Sequence, residues 1–234
     1  MGQRIELETP HGNIGGWRAD PDGRPRGGIV VIQEIFGVNA HIRSVVERFA
    51  SYGYAVVAPA LFDLVERDVE LGYDTDGFAR GRELMVKLGL DLDRALGCVR
   101  AAAKSLESPH MDVRALARDS HAGKVGVVGY CLGGSVAFLA NTRLALPAVS
   151  YYGARTVQFL DEESKAPMLF HFGAKDASTP PDDIEKHRLA QPQSEFHVWP
   201  AGHGFNCDQR KDYDADSATN ALAVTLGFFE RELT

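Results

Sequence analysis

Lys124-Val-Gly-Val-Val-Gly-Tyr-Cys-Leu-Gly-Gly-Ser135 is the passage on which the fold turns. An apolar strand-like run, Val125-Val128, leads into Gly129-Tyr130-Cys131-Leu132-Gly133, and a helical pattern, Ser135-Arg143, follows. The central five residues match G-x-S-x-G with cysteine in the place of serine, the pattern of a sharp strand-to-helix turn. Such a turn holds its middle residue in a strained conformation, where flanking side chains larger than hydrogen would collide with backbone. It also sets Cys131 at a helix N-terminus, where free N–H groups and the positive end of the dipole favour a thiolate. The N–H of Leu132 can then serve as an oxyanion donor. An arbitrary cysteine is more often a small buried hydrophobe than a nucleophile, but the paired glycines reverse that reading. Gly126, Gly129, Gly133 and Gly134 lack G-x-G-x-x-G spacing, and no Gly-Lys-Ser/Thr follows, so nucleotide and phosphate loops fit poorly.

Outward from this turn, apolar runs bounded by turn residues recur at Gly28-Ile32, Ala55-Ala58, Ala148-Tyr152, Met168-Phe172 and Phe196-Trp199, and read as buried strands. Helical patterns lie between them at Ala40-Ser51, Leu90-Leu106, Ser135-Arg143, Asp182-Leu189 and Ser217-Arg231. This alternation predicts an α/β architecture with a mostly parallel central sheet flanked by helices. Ile5-Glu8 and Asn13-Ala19, around His11-Gly12, read instead as an antiparallel hairpin, which makes about eight strands. No repeat or long linker divides the chain, so residues 1–234 are expected to form a single domain. Asp63-Lys87 is the least regular stretch and reads as loops and short helices forming part of a pocket wall.

The strand ends after Cys131 supply partners for it. Beyond Met168-Phe172 comes Gly173-Ala-Lys-Asp176, and beyond Phe196-Trp199 comes Pro200-Ala-Gly-His203-Gly-Phe205. Nucleophile, acid and histidine in that order, with acid and base on loops after later strands, is the arrangement of an α/β-hydrolase. Asp176 alone would read as a turn or capping residue and His203 alone as a surface histidine, whereas together with Cys131 they form a candidate catalytic triad. His171 and His197 fall inside apolar runs and read as core histidines. No HExxH or similar cluster accompanies them, so neither a metal nor another cofactor is called for.

Composition narrows the partners. A net charge of −7 over 234 residues argues against a nucleic-acid backbone, which needs clustered Lys and Arg. Nowhere do about 18 consecutive apolar residues occur and the N-terminus lacks a signal-type apolar run, so a cytoplasmic protein that does not engage a membrane is expected. Cys98, Cys131 and Cys207 are odd in number with no CxxC spacing, and are expected to be reduced thiols. Cys98 sits in a helical pattern and reads as packing, while Cys207 suits a structural or a site-lining position equally.

Over essentially its whole length the sequence resembles the dienelactone hydrolase (carboxymethylenebutenolidase) family. The resemblance rests on Gln33-Glu-Ile-Phe-Gly-Val-Asn39, Gly129-Tyr-Cys-Leu-Gly-Gly134, Tyr151-Tyr-Gly153, Asp176 in its loop and Ala201-Gly-His-Gly-Phe205. It implies that Glu34 contacts the resting thiol and moves when substrate binds, and that the Ile35 N–H joins that of Leu132 in an oxyanion hole. It further implies that Arg82 binds a substrate carboxylate, a task suited to a bidentate guanidinium. Two departures stand out: Cys207 occupies the place of a second carboxylate-binding arginine, and Val86 that of a tyrosine, with Arg210 or Lys211 as possible compensation. The expected reaction is thioester-forming hydrolysis of a small lactone or activated ester carrying a carboxylate. A general carboxylesterase or thioesterase of the same fold is the alternative within the enzyme class. A thiol redox sensor or ligand-binding protein is the alternative outside it, and the acid–base pair argues against that.

Overall fold

The computed structural model describes residues 2–89, 92–107 and 124–234. The chain divides into two compact units, Met1–Gly126 with Leu233–Thr234, and Val127–Glu232.

In the first unit, β1 (Gln3–Thr9) and β2 (Gly12–Ala19) form the expected antiparallel hairpin, from Thr9↔Gly12 to Gln3↔Arg18. Its turn is closed by the Thr9 hydroxyl donating to the Gly12 carbonyl at 2.6 Å, and Gly12 adopts φ +117°, a backbone that favours glycine. The outer face of β2 then pairs antiparallel with β4 (Ala55–Pro59), which runs parallel to β3 (Gly28–Ile32). All residues of β3 and β4 are buried, which is why both read as unbroken apolar runs rather than alternating ones. Helix α1 (Ala40–Ser51) begins where Asn39 Oδ1 accepts the Ile42 N–H at 3.2 Å, and it buries Ile42, Val45, Val46 and Phe49.

Asp63-Lys87 departs from expectation. After a 3-10 turn at Leu61–Leu64, residues Thr75–Leu88 form one 14-residue helix, α2, capped by Asp74, whose Oδ1 accepts the Gly77 N–H at 2.7 Å. Gly77 and Gly81 hid this helix, since each glycine inside a helix costs about 1 kcal/mol relative to alanine. They are there for backbone approach: a Cβ on Gly77 would lie 2.0 Å from the Gly72 carbonyl oxygen, and one on Gly81 2.2 Å from that of Ile35. Helix α3 (Asp93–Glu107) matches the last expected helix of this unit, and the expected start at Leu90 and Asp91 lies outside the described residues. Cys98 is buried on α3 as packing, its Sγ 3.4 Å from the Arg94 carbonyl, and burial pushes its thiol up to about 12.

The second unit carries β5 (Val125–Tyr130), β6 (Ala148–Tyr151), β7 (Met168–Gly173) and β8 (Glu195–Trp199), paired in parallel in that order from β5 to β8. Helices α4 (Leu132–Leu144), α5 (Pro181–Ala190) and α6 (Ala215–Leu233) follow β5, β7 and β8. Every residue of α4 from Leu132 to Thr142 is buried, so this helix has no polar stripe. Phe170 on β7 sits 6.0 Å from Phe138 of α4 and 5.0 Å from Phe196 of β8, ring centroid to centroid. Full burial of one such ring contributes about 1.5–3 kcal/mol. The expectation that Phe196-Trp199 is a buried strand needs correction: β8 is the end strand of this group and is half-exposed, with Val198 41% exposed. Its apolar side chains cover the flank of β7 instead of a two-sided core.

Eight strands are present among the described residues; the hairpin and the β2–β4 pair are antiparallel, whereas β3 with β4 and the successive pairs from β5 to β8 are parallel. Because β5 to β8 are parallel, their carboxyl ends open on one edge, where open α/β sheets place their chemistry. No helix among the described residues is long and apolar enough to cross a membrane.

Candidate active site

Cys131 lies between β5 and α4 with φ +55° and ψ −113°, a conformation that costs a non-glycine residue about 1–3 kcal/mol. Its N–H donates to the Tyr151 carbonyl at 3.0 Å and its own carbonyl accepts the Gly134 N–H at 3.0 Å, which holds the strained turn from both sides. A Cβ on Gly129 would fall 1.8 Å from the Gly133 carbonyl oxygen, so the glycine that the sequence pattern demanded is required by backbone contact. The Cys131 side chain makes no capping bond to α4, and its Sγ lies 3.1 Å from His203 Nε2. Leu132 is the first residue of α4, so its N–H precedes the helix's own hydrogen-bond ladder.

The loops that carry Asp176 and His203 are tied to each other by backbone. Ala174 N–H donates to the Trp199 carbonyl at 2.7 Å and Lys175 N–H to the Ala201 carbonyl at 2.9 Å, which fixes the step from β7 to Asp176 against the step from β8 to His203. Asp176 is buried and accepts the Ser178 N–H on Oδ1 at 2.7 Å, while Oδ2 lies 2.7 Å from His203 Nδ1. An ionised carboxylate only accepts, so Asp176 keeps a proton on Nδ1 and turns Nε2 toward the sulfur.

Burial alone would push the Asp176 carboxyl up, but the bond and charge of His203, with the Ser178 N–H, outweigh it and hold the group below the usual carboxylate range. Burial likewise works against a charged His203. The electrostatic attraction of Cys131 and the hydrogen bond that Nδ1 donates to Asp176 overcome it and raise the imidazole to about 10. The site therefore favours a protonated imidazole bonded to the Asp176 carboxylate.

Of the expected site residues, the structure brings Cys131, Asp176 and His203 into one hydrogen-bonded chain, with Leu132 next to the sulfur-bearing residue. Glu34, Ile35 and Arg82 belong to the first unit. Glu34 follows β3, is fully buried, and accepts the Tyr73 hydroxyl on Oε2 at 3.2 Å; the Asn39 side-chain amide donates to that hydroxyl at 3.1 Å. Gln33 pins the same loop, donating to the Glu34 carbonyl at 3.1 Å and accepting the Leu61 N–H at 3.0 Å. Ile35 is buried under Gly81 of α2, and Arg82, the next residue, is exposed and makes no hydrogen bond or ion pair among the described residues.

Two tyrosines at the site had no role assigned from the sequence. Tyr73 fell in the stretch read as irregular. Tyr152 was placed as the last residue of a strand, but β6 ends at Tyr151 and Tyr152 takes φ +42° with its ring centroid 5.2 Å from that of His203. A left-handed tyrosine leaves no composition or periodicity signal. Of the two histidines expected in the core, His197 on β8 is only half-buried, whereas His171 is fully buried: Trp199 Nε1 donates to its Nδ1 at 3.1 Å, Nε2 meets Thr225 at 3.0 Å, and burial drives it well below the ordinary histidine range. Cys207 is fully buried, and Val86 is 58% exposed. The Arg210 guanidinium packs on Gly204, the residue after His203, where a Cβ would lie 2.3 Å from Nη1.

Residues 14–233 match the sequence profile of the Dienelactone hydrolase family. A carboxymethylenebutenolidase from Pseudomonas putida is 34% identical over 235 aligned residues, covering 96% of this chain and 94% of that protein. Among solved structures, one assigned as a dienelactone hydrolase from Klebsiella pneumoniae is 27% identical, with a TM-score of 0.80 and 98% of each chain covered. An α/β serine hydrolase from Xanthomonas campestris shares the fold at 14% identity, with a TM-score of 0.66 over 99% of this chain and 95% of that one. The chain therefore has the α/β-hydrolase fold and belongs to the dienelactone hydrolase family, whose members are hydrolases acting on lactone ester bonds.

Proposed function

We propose that the protein is a cysteine-nucleophile hydrolase that opens a small lactone or activated ester through a thioester acyl-enzyme. The observation that carries this reading is the unbroken chain Asp176 Oδ2, His203 Nδ1, His203 Nε2, Cys131 Sγ, with separations of 2.7 and 3.1 Å. The Cys131 thiolate attacks the carbonyl carbon, and the carbonyl oxygen takes up the negative charge beside the Leu132 N–H. As the tetrahedral intermediate collapses, the C–O bond to the leaving group breaks and the His203 imidazolium gives that oxygen its proton. A thiolate is itself a good leaving group, so enol-lactones and aryl esters should react faster than alkyl esters or amides, which would return the sulfur instead.

Acylation also changes the histidine. In the thioester the sulfur carries no charge, so the strongest influence raising His203 disappears while burial continues to lower it. The imidazole becomes a base at neutral pH, takes a proton from water, and hydrolyses the thioester, with Asp176 keeping Nδ1 protonated throughout.

The family resemblance assigns three more roles that belong to this proposal: Glu34 as the carboxylate that governs the resting thiol, Ile35 as a second oxyanion donor, and Arg82 as the binder of a substrate carboxylate. The exposed, unpaired guanidinium of Arg82 among the described residues is compatible with that task. No disulfide joins Cys98, Cys131 and Cys207, which suits a reducing cytoplasm.

The test follows the ultraviolet absorbance of a dienelactone with purified protein, using Cys131→Ala as control and p-nitrophenyl acetate as second substrate. Loss of the lactone that needs Cys131 supports the reading. Turnover of the aryl ester alone would make the protein a general esterase with the same nucleophile. Full activity of Cys131→Ala would refute the nucleophile.

A further inference from the structure

The triad carriers meet at Tyr151-Tyr152-Gly153, a tripeptide to which the reaction above gives no role. The Tyr151 carbonyl accepts the Cys131 N–H at 3.0 Å. Tyr152 N–H donates at 2.8 Å to the carbonyl of His171, on the strand that leads to Asp176. Gly153 packs on the first turn of α4, where a Cβ would lie 2.8 Å from the Gly134 carbonyl carbon and 2.9 Å from the Ser135 nitrogen. The Tyr152 ring completes the set, 5.2 Å from His203 at an interplanar angle of 61° and 5.4 Å from Phe205. It is fully buried and held at φ +42°, a backbone that a bulky side chain rarely adopts. Observed strain of this kind, in contact with a reacting group, points to function.

We infer that Tyr152 is a positioning residue whose left-handed backbone drives its ring against His203 and fixes the imidazole plane, so that Nε2 faces Cys131 while Nδ1 stays on Asp176. This rests on the triad reading. The left-handed turn is what makes the contact: a residue continuing β6 in extended conformation would alternate to a sheet face instead of turning toward the base loop. Without the ring, the imidazole pivots about its Asp176 bond and Nε2 leaves the sulfur. Misplacement of a reacting group by about 1 Å costs on the order of 100-fold in rate.

The experiment compares Tyr152→Phe, Tyr152→Leu and Tyr152→Met with the parent protein on p-nitrophenyl acetate. It also measures iodoacetamide labelling of Cys131 against pH, read as mass gain of the tryptic peptide spanning 125–143. Tyr152→Phe keeps the ring and should retain kcat within about twofold. The Leu and Met variants should lose about 10- to 100-fold in kcat with KM little changed, and their labelling at pH 6 should slow because the thiolate has lost its aligned imidazolium. A folded Leu or Met variant with the parent's kcat and labelling profile overturns the inference. So does a Phe variant with less than a tenth of the parent's kcat, and this arm decides the matter if the aliphatic variants fail to fold. Cys131→Ala runs alongside: activity surviving in it would sink the triad reading itself, whereas an inactive Cys131→Ala with unaffected Tyr152 variants sinks only the positioning role.

Discussion

Carbamidomethylation of Cys131 should lower the His203 imidazole from about 10 toward neutrality. The sulfur lies 3.1 Å from Nε2, and two unit charges at that distance interact by about 5 kcal/mol at an effective dielectric constant near 20. Each pH unit corresponds to about 1.4 kcal/mol, so full loss of the thiolate charge could lower the group by up to about 4 units. Asp176 remains bonded to Nδ1 and opposes part of this, which leaves an expected fall of about 2 to 3 units. The assay is a proton–nitrogen correlation NMR titration of the labelled imidazole in the parent protein, the alkylated protein and Cys131→Ala. All three retain Asp176, so the difference isolates the sulfur. An imidazole that titrates at the same pH in all three would rule out the sulfur as the cause of an acid-to-base exchange on acylation.

Other outcomes follow from the same geometry. The raised His203 contributes stability that is complete below about pH 6.5 and is lost as pH rises through about 10, so the parent's melting temperature should decline across that window more than that of Cys131→Ala, as calorimetry can read. The depressed Asp176 acts in the opposite sense: its contribution is present above about pH 4 and disappears as pH falls through its lower folded value, a loss that Asp176→Asn should abolish in an acid-unfolding series. Gly129→Ala places a Cβ 1.8 Å from the Gly133 carbonyl oxygen, and should cost upwards of about 3 kcal/mol in urea unfolding together with most of the activity. Thr225→Val removes the hydroxyl shared by Tyr151 at 2.7 Å and His171 at 3.0 Å, and should cost about 1–3 kcal/mol with little change in kcat. Arg82→Gln should raise KM for a carboxylate-bearing lactone while leaving p-nitrophenyl acetate unaffected in parallel steady-state assays.

What could be read from the sequence follows from how local its cause is. The strained turn at Cys131 was legible because two glycines flanking it at fixed spacing are a direct steric requirement, visible in Gly129 against Gly133. Asp176 and His203 were legible because parallel strands put their following loops on one edge, so chain order predicts proximity. Helix α2 was not, since Gly77 and Gly81 lower the helical signal for the sake of contacts with Gly72 and Ile35 that no local pattern announces. The half-exposed β8 was misread because Phe196 and Trp199 are as apolar as core residues, and only its end position leaves them partly open. The placements of Tyr73 and Tyr152 were not legible for a related reason: one depends on a hydrogen bond to a residue 39 positions away, the other on a backbone angle. The role of Glu34 came from family resemblance alone, and its burial and the Tyr73 bond are what the structure adds.

Whether Cys131 carries the acyl group is read by intact-mass spectrometry of His203→Gln mixed with p-nitrophenyl acetate. Without the base, deacylation stalls. One acetyl group per chain is expected, located on the tryptic peptide spanning 125–143, released by hydroxylamine and absent in the double variant that also carries Cys131→Ala. An unmodified protein, or an acetyl group that persists after Cys131→Ala, would contradict it.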